Sequence, residues 1–176
     1  MSDTLDRAAK LPPTSWTYEV RQLAAPAAGT DFTIPVPSGE VWRLVAINAT
    51  LATSAAVANR DPKLTIDDQT SVSAVYAAGV VTAAGATVRY VWLAGFPQLM
   101  GSAEAGLVDV PIIDHVLQMG WRARVVTGAL DVADQWSSIT FTIERLNTPP
   151  ESIAGRYVRL AESMRDIADT LEAEGY

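Results

Sequence analysis

Residues 136–146 read Trp-Ser-Ser-Ile-Thr-Phe-Thr-Ile-Glu-Arg-Leu, and apolar and polar side chains alternate along most of this stretch. Trp136, Ile139, Phe141 and Ile143 make up one row, while serine, threonines and a glutamate make up the other. Because successive side chains of a β-strand point to opposite faces of a sheet, this pattern predicts a strand with one buried and one solvated face. The stretch therefore indicates a fold built on antiparallel sheet.

Similar strand-like segments occur along the chain towards the N-terminus. Between residues 16 and 147, short runs rich in Val, Ile, Thr, Tyr and Trp are separated by clusters of Gly, Pro, Asn and Asp. Short strands with turns at this spacing are typical of an all-β antiparallel sandwich, and we expect a jelly-roll-like variety. The predicted strands cover residues 17–23, 31–36, 41–51, 63–67, 71–76, 87–93, 107–112, 121–127 and 136–146.

Two terminal segments differ from this central domain. Residues 1–15 are polar and contain Pro12-Pro13, so we expect either an N-terminal arm that orders against a partner or a disordered tail. At the other end, Thr148-Pro149-Pro150-Glu151 has the residue types that cap a helix start, and Gly175 is suited to end the helix. The predicted organisation is an arm (1–15), a β-sandwich (16–147) and a C-terminal amphipathic α-helix (148–176).

The predicted helix carries an apolar stripe at heptad spacing. Three heptads are marginally stable alone in water, so the stripe must be buried. It can pack on its own sandwich, on copies of itself or on a different protein, and the sequence leaves these three possibilities open. Small flanking residues widen the apolar face and favour a homotrimer over a two-stranded coiled coil. The candidate interface consists of Ile153, Tyr157, Leu160, Met164, Ile167 and Leu171.

Composition excludes several classes of function. The 176 residues include no cysteine and one histidine, which excludes thiol catalysis, disulfides, cysteine zinc sites and multi-histidine metal sites. A net charge of −7 without a basic run repels phosphate backbones, so we expect no nucleic-acid partner. The first residues lack the features of a signal peptide, and the apolar stretch 77–96 is interrupted by Thr, Arg and Gly. We therefore expect no export by that route, no membrane span, no cofactor and no enzymatic activity.

Three sets of polar residues are weak candidates for chemistry. His115 lies beside Asp114 and near Asp109, but one histidine without a nucleophile motif favours a loop position or a hydrogen-bonded structural role. Asp67-Asp68 and the segment 131–134 offer oxygen ligands for calcium, yet neither has the spacing of a calcium loop. Turn formation, which aspartate favours, explains both better.

Five tryptophans form the remaining candidate site. On one face of a sandwich they would provide a surface for sugar rings. Because most of them lie inside strand patterns, we expect a core role. They are Trp16, Trp42, Trp92, Trp121 and Trp136.

Four segments carry a resemblance to a known group of proteins. They are 37–51 (Pro-Ser-Gly-Glu-Val-Trp-Arg-Leu-Val-Ala-Ile-Asn-Ala-Thr-Leu), 59–62 (Asn-Arg-Asp-Pro), 121–127 (Trp-Arg-Ala-Arg-Val-Val-Thr) and 134–146, which begins Asp-Gln-Trp-Ser. In this order they resemble small β-sandwich structural proteins encoded among the virion genes of tailed bacteriophages. In those proteins a Pro and Gly turn leads into a W-x-L strand, and a DQWS turn leads into the last strand. The predicted helix lies outside the resemblance.

The resemblance implies a virion protein that assembles in the host cytoplasm. The first hypothesis is a capsid decoration or cement protein, of minor capsid type, that binds the major capsid protein on the outside of the head and stabilises the shell. The alternative is a tail, neck or fibre component that is trimerised by its helix and contacts host glycan. A soluble carbohydrate-binding module ranks below both.

Overall fold

The computed structural model describes residues 16–95 and 106–146, together with Met164 and Arg165. All nine predicted strands are present, with bounds that differ by at most a few residues, and one additional short strand was not predicted. The strands are β1 (Trp16–Leu23), β2 (Thr33–Pro35), β3 (Trp42–Ala52), β4 (Asp61–Asp67), β5 (Val72–Ala77), β6 (Thr87–Ala94), β7 (Leu107–Ile112), β8 (His115–Leu117), β9 (Arg122–Gly128) and β10 (Gln135–Leu146).

The strands form two sheets around one core. Sheet A has the order β1-β10-β3-β6-β7, and β8 also pairs with β3. Sheet B has the order β2-β9-β4-β5. The prediction of an all-β, two-sheet sandwich is therefore confirmed. The predicted arm (1–15) and almost all of the predicted helix (148–176) lie outside the described residues.

The core is built from the inward rows of both sheets. Ile47 and Leu51 of β3 and Leu64 and Ile66 of β4 are fully buried. Tyr90 stacks on the buried Trp92 with their ring centroids 5.6 Å apart. Since these residues recur at every second or fourth position of their strands, the period-two pattern places them on one face.

A β-bulge explains the irregular spacing of the buried apolar residues at the start of β10. Trp136 and Ile139 both lie in the core although three positions separate them. The pairing of β10 with β3 shifts register between Ser137 and Thr140, and Ser138 has a positive φ of 51°. This β-bulge adds one residue and returns the apolar side chains to the inner face.

The expectation of a purely antiparallel sandwich is wrong for one pair of strands. β7 runs parallel to β6, with Arg89 opposite Leu107 and Ala94 opposite Ile112. A parallel partner requires a connection of about a dozen residues, because the chain must return to the end of the sheet where it began. The segment between Ala94 and Leu107 has that length.

Candidate functional site

The predicted helix stripe is described at one position. Met164 and its neighbour Arg165 have helical backbone, and the Met164 side chain is 63% exposed. The remaining stripe residues, Ile153, Tyr157, Leu160, Ile167 and Leu171, lie outside the described residues. The stripe therefore stays a prediction, and its one described member is not buried in the isolated chain.

His115 takes part in a hydrogen bond between the two sheets. It lies on β8, and its Nε2 shares a short hydrogen bond with the hydroxyl of Tyr76 on β5, so it links the two sheets. Burial raises the pKa of the Tyr76 hydroxyl. Asp114 pairs with Arg43 instead, and Asp109 is exposed on β7. The structure thus does not bring the two aspartates and the histidine into one cluster.

The tryptophans divide between core and partly buried positions. Trp42, Trp92 and Trp136 are fully buried, which confirms the core role for these three. Trp121 packs partly buried against the core. Trp16 lies under the Arg43 guanidinium, whose carbon is 4.7 Å from the ring centroid. The five indoles therefore do not form a shared sugar-binding face.

An open groove of about 250 Å³ lies beside Arg43. Arg43 Nη1 donates a hydrogen bond of 2.7 Å to Glu144, and its Nε lies 3.3 Å from an oxygen of Asp114 without a hydrogen bond. With its guanidinium held by these groups and by Trp16, the arginine fastens β1 and β10 to β3. The positive charge of Arg43 at the groove is therefore already balanced by the carboxylates of Glu144 and Asp114.

One aspartate of each set, Asp68 and Asp131, stabilises a turn, as the sequence indicated, whereas Asp67 and Asp134 also pair with arginines. Asp68 Oδ1 accepts hydrogen bonds from the amides of Thr70 and Ser71 and from the Thr70 hydroxyl. These bonds, led by that of the hydroxyl, lower the pKa of the Asp68 carboxyl. Asp131 Oδ1 accepts from the Ala133 amide at 3.0 Å. In both places the carboxylates satisfy backbone donors of their own turns.

Sequence reasoning missed a buried ion pair between Arg60 and Asp134. Both side chains are fully buried, and Arg60 Nε and Nη2 donate to the two carboxylate oxygens at 2.8 and 3.0 Å. Nη1 donates to the carbonyls of Ala56 and Ala58, and Nη2 also donates to the Ser54 hydroxyl. All five N–H groups of the guanidinium are therefore used.

The Asp134 carboxylate is equally well satisfied. It accepts hydrogen bonds from the amides of Ser54 and Asp131 at 2.7 and 2.8 Å. Burial on its own raises the pKa of the Asp134 carboxyl, but hydrogen bonds from Arg60 and these amides outweigh burial and lower that pKa to about 2. The pair joins the loop after β3 to the turn before β10, so its role is structural.

A second cluster missed by sequence reasoning lies on the outer face of sheet B. Arg122 Nε and Arg124 Nε each donate a hydrogen bond of 2.6 Å to one oxygen of the buried Asp67. Burial tends to raise the pKa of the Asp67 carboxyl, but these two bonds lower it overall. The two guanidiniums are about one third exposed and border a cavity of about 70 Å³ with Thr70 and Val72. This volume suits a small group such as a carboxylate.

Among the described strands, β1, β7, β2 and β5 end the two sheets, and the three-residue β8 pairs only with β3. These strands differ in how they are protected against pairing with another chain. β1 carries Glu19 and Arg21, and β7 carries Asp109 and Pro111. β2 has three residues and includes Pro35. Charges, prolines and short length are devices that natural proteins use to block edge strands. β5 has none of them: its sequence is Val-Ser-Ala-Val-Tyr-Ala.

The described residues contain neither a cluster suited to a metal ion nor a membrane-spanning helix. Within residues 16–95 and 106–146, plus Met164 and Arg165, no three His, Asp or Glu side chains are grouped so that they could hold a metal ion. The described part of the chain also contains no helix with the length and apolarity needed to cross a membrane. No protein-family model, curated protein or solved structure matches this chain.

Proposed function

We propose that this chain is a non-enzymatic structural protein of a tailed-bacteriophage virion, and that it decorates the outside of the head shell. The sandwich would lie on the shell, and residues 1–15 or 148–176 would grip the major capsid protein. A protein that binds the assembled lattice more tightly than free subunits stabilises the lattice by mass action. It would be assembled in the host cytoplasm and remain in the virion.

The strand order is the observation that carries the proposal. Sheet A contains the run β1-β10-β3-β6 and sheet B is β2-β9-β4-β5, with β7 and β8 inserted in the chain between β6 and β9. We class the sandwich as a jelly roll because eight strands in this order form two interlocked Greek keys. Jelly rolls recur in viral capsid proteins and in lectins. Since a fold does not fix a function, the order supports both of those classes.

The buried charged groups of the sandwich have structural roles, which supports a non-enzymatic protein. The two most buried charged clusters, Arg60 with Asp134 and Asp67 with Arg122 and Arg124, hold loops and strands together. Their carboxylates are saturated with hydrogen bonds and ionised, so they are poor proton donors at neutral pH.

The proposal is tested on purified particles. A head decoration protein is expected in hundreds of copies per particle, and particles that lack it should lose packaged DNA at a lower temperature than complete particles. About three to twelve copies would place the chain in the neck or tail, where ring symmetry sets the number. Equal heat resistance with and without the protein would rule out a cementing role.

A tail or fibre component that contacts host glycan is the second candidate, and one observation favours it. Arg122 and Arg124 each donate one hydrogen bond from Nε to Asp67, and both residues line the 70 Å³ cavity. A sugar carboxylate is the group that such a pair of guanidiniums would bind. Arg124→Gln should weaken binding to an array of acidic glycans, whereas Arg89→Gln on sheet A should not. Absence of acidic glycan binding would remove this candidate.

For the C-terminal segment we retain the proposal of an amphipathic helix that trimerises the chain. The exposed Met164 is consistent with a stripe that is covered by another chain. Full-length protein with Leu160→Asp and Ile167→Asp should lose the trimer, and Glu162→Ala on the outer face should keep it. If light scattering gives both variants the same mass as the parent protein, the helix does not hold the oligomer together.

A further inference from the structure

We propose that the free edge of β5, residues Val72–Ala77, is a self-association surface. Two copies would pair these strands antiparallel across a twofold axis, so that sheet B continues from one protomer into the next. The inference does not depend on the virion proposal, because it follows from the chemistry of one sheet edge.

The outer edge of β5 has no strand partner among the described residues. β5 pairs with β4 on one side and has no hydrogen-bonded strand on the other. β7 of sheet A lies close to β5, and the Ile113 amide donates a hydrogen bond to the Tyr76 hydroxyl. A bulge separates Ile66 from Asp67 opposite the start of β5, but the pairing of Ala74–Ala77 is regular. An edge strand of this kind presents unpaired N–H and C=O groups, which are a template for another strand.

The strand itself and the loop after it carry no charge, whereas the neighbouring strand β4 carries Lys63 opposite Ala77 and Asp67 opposite Val72. Residues 69–88 include no Asp, Glu, Lys, Arg or His, in a chain whose net charge is −7. Val72 and Val75 on the strand are 56% and 54% exposed, and Val80 and Val81 in the following turn are 47% and 54% exposed. Two negatively charged protomers repel each other least where neither carries charge, and here they also bury apolar surface.

A second copy of this strand fits the edge better than the other segments of the chain do. Segments 1–15 and 147–176, of which only Met164 and Arg165 are described, both carry several charges, and 96–105 contains Glu104. A copy of β5 carries none, and its small and β-branched side chains pack well on a pleated surface. A twofold axis also makes the interface self-complementary, since each strand serves as donor and acceptor for the other.

Sedimentation equilibrium of the full-length protein tests the proposal. The contact is small, so association should be weak and should rise with concentration. Val75→Lys places a charge on the edge and should weaken this association at least tenfold. Val126→Lys is the matched control, because Val126 is an exposed valine on the same face of sheet B but on the central strand β9. Equal masses for wild type and Val75→Lys at all concentrations, or equal losses in both variants, would overturn the proposal.

A cysteine scan gives a second readout that is independent of any oligomer formed by the C-terminal segment. The chain has no cysteine, so each introduced thiol is unique. Opposed residues of antiparallel strands have Cα atoms about 4.5–5.5 Å apart, within reach of a disulfide. Single variants Ser73→Cys, Val75→Cys and Ala77→Cys should give an oxidised dimer whose yield peaks at the residue nearest the twofold axis, and Val126→Cys should give none. A flat yield that includes Val126→Cys, or no dimer at any edge position, would refute β5 pairing.

Discussion

Replacing Asp134 with asparagine keeps the size of the side chain but removes the charge that faces the buried Arg60 guanidinium. Wild-type Asp134 accepts four hydrogen bonds, at 2.7, 2.8, 2.8 and 3.0 Å. An asparagine would turn an NH₂ group towards some of these donors and leave Arg60 as an unpaired cation with no exposure. Breaking a buried pair in this way costs about 3–5 kcal/mol, so Asp134→Asn should lower the free energy of unfolding at pH 7 by that amount.

Urea denaturation followed by tryptophan fluorescence measures this loss, and a thermal scan should show a Tm lower by about 2–4 °C for each kcal/mol. Asp61→Asn is the matched control. Asp61 pairs with Lys63 at 3.0 Å, but the two side chains are 36% and 45% exposed, so the cost should be below about 1 kcal/mol. If Asp134→Asn unfolds within about 1 kcal/mol of wild type, the buried pair does not stabilise the fold as argued.

The pH dependence provides an independent check on Asp134. Folding lowers the pKa of its carboxyl from 3.8 to about 2, which corresponds to about 2 kcal/mol of stability. Because the folded pKa is the lower one, this contribution is complete above about pH 4 and is lost as the pH falls through the folded value. Wild type should therefore lose stability between about pH 4 and pH 2 more steeply than Asp134→Asn. Parallel curves would contradict the assignment.

Three further changes have expected outcomes in the same unfolding assays. Gly29→Ala should lower the free energy of unfolding several times more than Gly39→Ala. Both glycines have positive φ, but a Cβ at Gly29 would lie 2.6 Å from a backbone atom, whereas one at Gly39 would face open space. Equal losses in the two variants would refute the steric argument. Ile47→Ala should lower the free energy of unfolding by about 2–5 kcal/mol, because Ile47 is fully buried. A loss below about 1 kcal/mol would mean that the core repacks around the smaller side chain. Asp67→Asn should lower the free energy of unfolding by about 1–2 kcal/mol, since it deprives two arginines, each about one third exposed, of their shared carboxylate, and 1 M salt should reduce this loss.

Local pattern was sufficient to predict the strands that are long enough to show it. The twelve residues of β10 were identified by their alternation, and β3 was identified as a long run rich in apolar residues; three tryptophans inside the strand patterns lie in the core. β8 was missed because His115–Leu117 is too short to show a period. The parallel pairing of β6 with β7 was missed because a strand's own residues do not specify the direction of its neighbour.

The sites depend on contacts between distant parts of the chain, which a single sequence does not display. Arg60 and Asp134 are 74 positions apart, and each alone looks like an ordinary residue of a turn. The pairing of Asp67 with Arg122 and Arg124 requires β4 and β9 to be neighbours. The β5 edge is an intermediate case: the charge-free run is visible in the sequence, but its position at the end of a sheet is not.

The position of β10 has a consequence for how the protein is made. The last strand of the sandwich lies between β1 and β3, so Leu23 pairs with Ile139 and Leu51 pairs with Trp136. A ribosome must therefore complete residue 146 before sheet A can close, and until then β1 and β3 lack their common neighbour. Sheets held by such distant pairings fold in milliseconds to seconds. The sandwich is thus expected to fold after its synthesis, and a chain stopped before residue 135 should be open to aggregation and proteolysis.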